Sequence, residues 1–236
     1  MKPAPAPGGA GRDLSVVVPV GPGDAAWQSL VPAVRKLLPE CEIVLSVCER
    51  TAQVPAGVLV VSGPAGRAAQ LNRGASIAAG QWLWFLHADS TLGPGAGAAL
   101  FGFLAGAGDR IGHFRLGFAP DGPWATRLNA TCANLRSRWL GIPFGDQGLI
   151  VSRRVWEAVG PYDEGFGRGE DLELVVRARA RGIRTVELGA TLTTSARRYR
   201  EQGWLRTTLR HGWWTVQQIR RARRGREGSV VDRSDE

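Results

Sequence analysis

Several residue types are scarce in this chain, and each scarcity excludes something. Its 236 residues hold three cysteines, three histidines, one methionine and two tyrosines. Cys41, Cys48 and Cys132 are odd in number and lack paired metal-ligand spacing. That pattern argues against a disulfide scaffold or structural zinc and favours a reducing cytoplasm. His87, His113 and His211 are too few for a histidine-rich metal site. No serine nucleophile elbow or catalytic Cys/His pairing is evident. No run of 18 apolar residues occurs, so no membrane-spanning segment is expected. Lysine is nearly missing too, since 28 of the 30 basic residues are arginine.

What is present describes a folded chain. A 44% hydrophobic content over this length is enough for one domain with a sizeable core. The 32 glycines follow no triplet period, which excludes a collagen-like chain. The net charge of +9 is local: residues 197–226 contain ten arginines against Glu201, and the other residues balance at 20 basic and 20 acidic. A neutral body therefore carries a basic C-terminal segment. Residues 1–12, rich in Pro, Gly and Ala, are expected to form a flexible tail and lack the apolar stretch of a signal peptide. The polar residues 225–236 are expected to be a disordered tail.

Between these ends, strand-like and helix-like stretches alternate. Leu14 to Val20 is a β-branched apolar run, and Glu42 to Val47, Val58 to Val61 and Trp82 to Leu86 are further buried-strand candidates. Helical spacing covers residues 25–38, 67–79 and 96–105. Continuous apolar strands separated by helices predict an α/β fold with a mostly parallel sheet covered on both faces. The second half breaks the rhythm. It offers an edge or antiparallel strand at His113 to Phe118, helices at 123–140, 153–159 and 171–181, and a short last strand from Thr185 to Leu188. Residues 201–224 form a basic, Trp-bearing amphipathic helix candidate.

Five constellations could carry chemistry. His87-Ala88-Asp89 follows the Trp82 strand; on extended backbone the two ionisable residues would share a face, and a carboxylate there suits Mg²⁺ or Mn²⁺. Arg67 to Asn72 opens a helix after a strand, an arrangement that can receive an anion. Gly169-Glu170-Asp171 begins another helix behind a glycine-rich approach and could supply a general base, although acids also belong at a helix start. Gly145-Asp146-Gln147-Gly148 is a polar turn between apolar stretches. Arg197 and Arg198 precede the basic helix, whose alternating Trp and Arg residues suit an anionic membrane surface. Packing on the domain is the plainer use of that helix, and nucleic acid is the less favoured partner.

The order of these elements is more specific than any one of them. LSVVVPV, GRAAQLNRGA, FLHADS, GDQGLIVSR, GEDLEL and TSARRY in succession resemble the family-2 glycosyltransferases of GT-A fold, a Rossmann-like three-layer α/β/α architecture with a mixed, mostly parallel sheet. The likeness spans residues 14–214 and is nearest the bacterial radical-SAM/selenodomain-associated subgroup. It implies a GT-A domain over residues 13–200 that transfers sugar from a nucleotide-diphosphate-sugar donor to an acceptor hydroxyl with inversion. Asp171 would be the general base and Glu170 would orient the acceptor. Pro19, Asp24, Arg67, Asn72, His87 and Asp89 would line the donor site, with Asp89 on Mg²⁺ or Mn²⁺. Asp146 and Gln147 would face the acceptor, and Arg197 and Arg198 the diphosphate or an anionic acceptor. Two family elements are replaced: Val20-Gly21-Pro22-Gly23-Asp24 stands where an Asn-Glu pair is usual, and Cys48-Glu49 where an Asp is usual. A nucleotidyltransferase on a related fold, or a catalytically silent domain binding an anionic partner, remains a competing reading.

Overall fold

The computed structural model describes residues 11–49, 54–106 and 108–231. Most of the expected N-terminal tail and the last five residues lie outside the described residues.

The first half is built as its apolar pattern predicts. Strand β1 (Leu14–Val20) pairs in parallel with β2 (Glu42–Val47) on one side and β4 (Trp82–Phe85) on the other, and β3 (Val58–Ser62) adds to β2. Alternate side chains of β1 enter different cores. Val16, Val18 and Val20 meet Trp27, Leu30, Val31 and Val34 of α1 (Trp27–Leu37) on one face. Val17 meets Ala68, Leu71 and Ala75 of α2 (Arg67–Ile77) on the other. Each large apolar side chain buried in this way contributes about 1.5–3 kcal/mol. Helix α2 sits unusually close to the sheet, because Gly74 faces Val17: a Cβ there would lie 2.5 Å from a valine methyl.

The second half completes one eight-stranded sheet, ordered β3-β2-β1-β4-β7-β6-β8-β5. Here β5 is Thr91–Leu92, β6 Arg110–Phe118, β7 Ile150–Ser152 and β8 Arg184–Thr194. Four of the seven strand pairings are parallel, so the sheet is mixed with a parallel majority, as expected. Two details differ from expectation. The strand at His113 is interior rather than an edge, although the antiparallel alternative is found in its pairing with β7, beside a parallel pairing with β8. The last strand has eleven residues rather than four, because pairing with both β6 and β5 holds residues that lack an apolar run. The remaining helices are α3 (Ala96–Gly106), α4 (Thr126–Leu140), α5 (Arg153–Val159), α6 (Glu170–Ala180), α7 (Arg197–Gln202) and α8 (Trp204–Val231). Residues 225–231, expected to be disordered, continue α8.

The chain moves outward from β1 to β2 and β3, then returns across β1 to β4. That reversal opens a crevice at the carboxyl ends of β1 and β4, where ligands of open α/β sheets bind. Buried Gln70 of α2 closes the adjoining gap by donating through Nε2 to Val20 O at 2.7 Å and Ser46 O at 2.8 Å.

Candidate active site

The crevice gathers charged groups from six separate parts of the chain. Glu170 and Asp171 start α6, where the helix dipole tolerates acids. Both are nonetheless buried, and Arg67 at the start of α2 reaches across to them. Its Nε lies 2.8 Å from Glu170 Oε1 and 3.8 Å from Asp171 Oδ2, a close ionic contact without hydrogen-bond alignment. Glu170 Oε2 also accepts from the Gly169 amide at 3.0 Å. With one oxygen on Arg67 and the other on the backbone, Glu170 anchors the arginine.

Asp171 is held differently. Its carboxylate packs against Gly145, where any Cβ would come within 2.2 Å of Oδ2, so only glycine fits. The Gly145 amide donates to it, and the buried Tyr162 hydroxyl stands beside it without full alignment. Burial raises the Asp171 carboxyl above its ordinary range, against the opposing pull of Arg67, the amide and the hydroxyl. Burial, and then the neighbouring Asp171, raise Glu170 as well.

The turn that supplies Gly145 also supplies Asp146. Burial raises Asp146 to about 6, opposed by Arg136, and the charges of Asp171 and Asp89 add to the rise. Its Oδ1 is buried without a hydrogen-bond partner. Gln147, expected beside the acceptor, instead points into the protein. It is wholly buried: Oε1 accepts from Ser137 Oγ at 2.7 Å and from Phe144 N at 3.2 Å, while Nε2 donates to Phe114 O at 3.1 Å. A buried amide so fully paired cannot meet a substrate, and its task is to fix the turn.

Residues 87–89 form a turn, Ser90 N donating to His87 O at 3.1 Å, so the extended geometry expected for His87 and Asp89 is not found. Asp89 is exposed, with Oδ2 accepting from Thr194 Oγ1 at 2.9 Å. His87 keeps a buried Nε2 with no hydrogen-bond partner, and burial, then the charges of Arg67 and Arg198, lower its pKa well below the usual range. No group of three or more His, Cys, Asp or Glu side chains able to hold a metal occurs among the described residues.

The basic pair divides. Arg198 acts on His87 and on buried Tyr199, whereas Arg197 lies near Asp121. Asp121 holds the turn after β8, accepting from Ser195 Oγ at 2.5 Å and Ala196 N at 2.7 Å. Asn72 and Asp24 have partners within the protein. Asn72 turns to the 162–164 segment: Nδ2 donates to Tyr162 O and Glu164 Oε1, each at 2.9 Å, and Oδ1 accepts from Tyr162 N at 2.8 Å. Asp24 caps the approach to α1, its Oδ1 accepting from Ala26 N at 2.9 Å, while Glu49 accepts from Gly23 N at 3.3 Å. Pro19 lies in β1 opposite Ser46.

No family model and no curated protein matches the sequence. Solved structures do match. GalNAc-T7 with UDP, GalNAc and Mn²⁺ superposes with a TM-score of 0.59 at 16% identity, over 78% of this chain and 44% of that one. S. aureus TarS 1-349 gives 0.58 at 15%, over 78% and 60%. Glucosyl-3-phosphoglycerate synthase from Mycobacterium tuberculosis, in complex with Mn²⁺, UDP and glucosyl-3-phosphoglycerate, gives 0.55 at 19%, over 80% and 76%. The chain has the GT-A fold. It spans less than two thirds of the first two neighbours.

Sequence reading missed Tyr162, Thr194, Tyr199 and Arg136. The GT-A fold brings them to the crevice from α4, β8, α7 and the loop after α5, and no spacing rule links those segments. Thr194 and Tyr199, the two ends of TSARRY, are the ones within a motif.

Proposed function

We propose that this chain is a glycosyltransferase that uses a nucleotide-diphosphate-sugar donor and inverts the anomeric carbon. One observation carries the proposal: a buried carboxyl of raised pKa, Asp171, stands with Arg67 in the crevice of a GT-A fold. The ordered likeness to the radical-SAM/selenodomain-associated subgroup supports the same reading. So do neighbours solved with UDP and Mn²⁺.

An acceptor hydroxyl is a weak nucleophile. Asp171 takes its proton as the oxygen attacks the anomeric carbon and the bond to the diphosphate breaks, a single displacement. Raising a carboxyl toward neutral pH improves it as a base, as long as it still ionises. The Gly145 amide and Tyr162 keep Asp171 ionisable and aimed. Arg67, fixed by Glu170, and Arg198 set positive charge where the departing diphosphate gains negative charge. Asp146, on the same turn as Gly145, faces the acceptor side.

The donor set suits Mg²⁺ or Mn²⁺. Asp89 is exposed with only one oxygen committed to Thr194, which leaves the other carboxylate oxygen for the ion. Asp89 would hold such an ion, which would supply positive charge against the leaving diphosphate.

The test is nucleoside-diphosphate release from a panel of nucleotide sugars with Mn²⁺. Asp171→Asn is expected to lower kcat by about 10²–10⁴ while donor binding is retained. Asp89→Ala is expected to abolish the metal dependence. Unchanged turnover in both variants sinks the assignment, and release of pyrophosphate would mark a nucleotidyltransferase instead.

The enzyme works in the cytoplasm at an anionic membrane face. The support is α8, where Leu205, Leu209, Trp213 and Val216 form an exposed stripe at helical spacing on a strongly basic segment. Vesicles with and without acidic lipid decide this: Leu209→Glu is expected to cut sedimentation with acidic vesicles several-fold, and equal recovery on neutral vesicles would remove the electrostatic part.

A further inference from the structure

A second cavity, of about 420 Å³, lies behind the sheet ends where β8 begins. It is framed by the last turn of α4, the turn after α6 and the first residues of β8. Strand β8 enters here and reaches Asp89 only at Thr194, roughly 30 Å later at about 3.3 Å per residue. The volume falls within the range of small-ligand sites.

Its chemistry is that of an anion receptor. Arg138, Arg179 and Arg184 line it, and none of the three has an acidic partner among the described residues. Glu187, the acid on the wall, is already paired to Arg115 at 2.8 Å. The carboxyl ends of α4 and α6 each contribute roughly half a negative charge, which leaves about two positive charges uncompensated. The Arg179 Nη1 and Thr185 Oγ1 atoms crowd Gly141, 2.6 and 3.1 Å from where its Cβ would stand, so two donors converge on one spot. Trp139, 74% exposed, gives the mouth an apolar lip. The floor is shared with the Asp146 turn through the Ser137–Gln147 hydrogen bond.

We infer that this cavity is a second ligand site that binds a phosphate group, held by Arg138, Arg179 and Arg184, with Trp139 against whatever the phosphate carries. Planar guanidinium forks match phosphate oxygens in pairs, and three around one cavity make the recognition specific. The site is independent of the transfer reaction proposed above. Two sources share the chemistry, a free phosphate compound and a phospholipid headgroup whose chains would follow the apolar lip.

Calorimetry in EDTA without nucleotide tests it, with inorganic phosphate and sub-micellar octyl phosphate as probes. Saturable binding is expected. Each of Arg138→Ala, Arg179→Ala and Arg184→Ala should weaken it by about tenfold, and the triple variant should abolish it with an unchanged Tm. Arg67→Ala in the active-site crevice should change it less than twofold. Octyl phosphate at least tenfold tighter than phosphate assigns the lipid source, and equal affinities assign the soluble one. No saturable binding of either probe overturns the proposal, as does a loss that follows Arg67 while the triple variant still binds.

Discussion

Asp171 and Asp146 are neighbours with opposite supports. Asp171 has an amide, a hydroxyl and an arginine favouring its ionised form, while Asp146 has an orphan oxygen and a more distant Arg136. Asp146 therefore titrates near 6, above its unfolded value, so the native state holds its proton more tightly than the unfolded chain does. Its stabilising contribution is present below the unfolded pKa and is lost as pH rises through about 6. Asp146→Asn is expected to match the parent at pH 4 and to exceed it by up to about 3 kcal/mol at pH 8, measured by urea unfolding. The same scale governs Gly145. Gly145→Ala would drive a methyl into the Asp171 carboxylate, and activity should fall at least as far as about tenfold with nucleotide binding retained.

At the scale of elements, α8 shows what a helical wheel leaves open. Trp213 and Trp214 are adjacent in sequence and differ in fate. Trp214 lies under Arg168, 4.6 Å from its guanidinium carbon, and Ile219 joins the Ile142–Phe166–Leu172 cluster against α6. Trp213 is 60% exposed. Trp214→Ala is expected to destabilise the fold by about 2 kcal/mol, and Trp213→Ala to stay within about 0.5 kcal/mol while weakening vesicle binding. Packing on the domain and an outward apolar stripe are thus both realised, on different sides of one helix. The buried amides act at this scale too. Gln147→Ala would strip partners from Ser137 and the Phe114 carbonyl, at a cost of about 1–3 kcal/mol, with no specific effect on acceptor KM. A large KM change without destabilisation would restore the acceptor role first expected of it.

For the whole molecule, the site exists because the mixed sheet brings together segments distant in sequence. Asp89 follows β4, yet its partner Thr194 ends β8, 105 residues later. Arg67 and Glu170 likewise meet across the interval between α2 and α6. The net charge of +9 resolves by location as well: Arg198 acts on His87, Arg197 acts on Asp121, and Arg138, Arg179 and Arg184 of the neutral body gather at the second cavity.

The apolar pattern alone determined the first half of the fold, because a buried parallel strand must be apolar on both faces and a covering helix must repeat its apolar residues every three to four positions. It also marked the segments that supply the crevice, since ordered motifs are local. Tertiary structure decided which side chains of those segments serve the site. Asn72 and Gln147 were committed to backbone partners, Arg197 was set near Asp121, and β8 was lengthened by pairing with strands distant in sequence. The reason is that a hydrogen-bond partner, a desolvated carboxyl or a paired strand depends on what lies across space, and residue spacing along the chain carries no record of it.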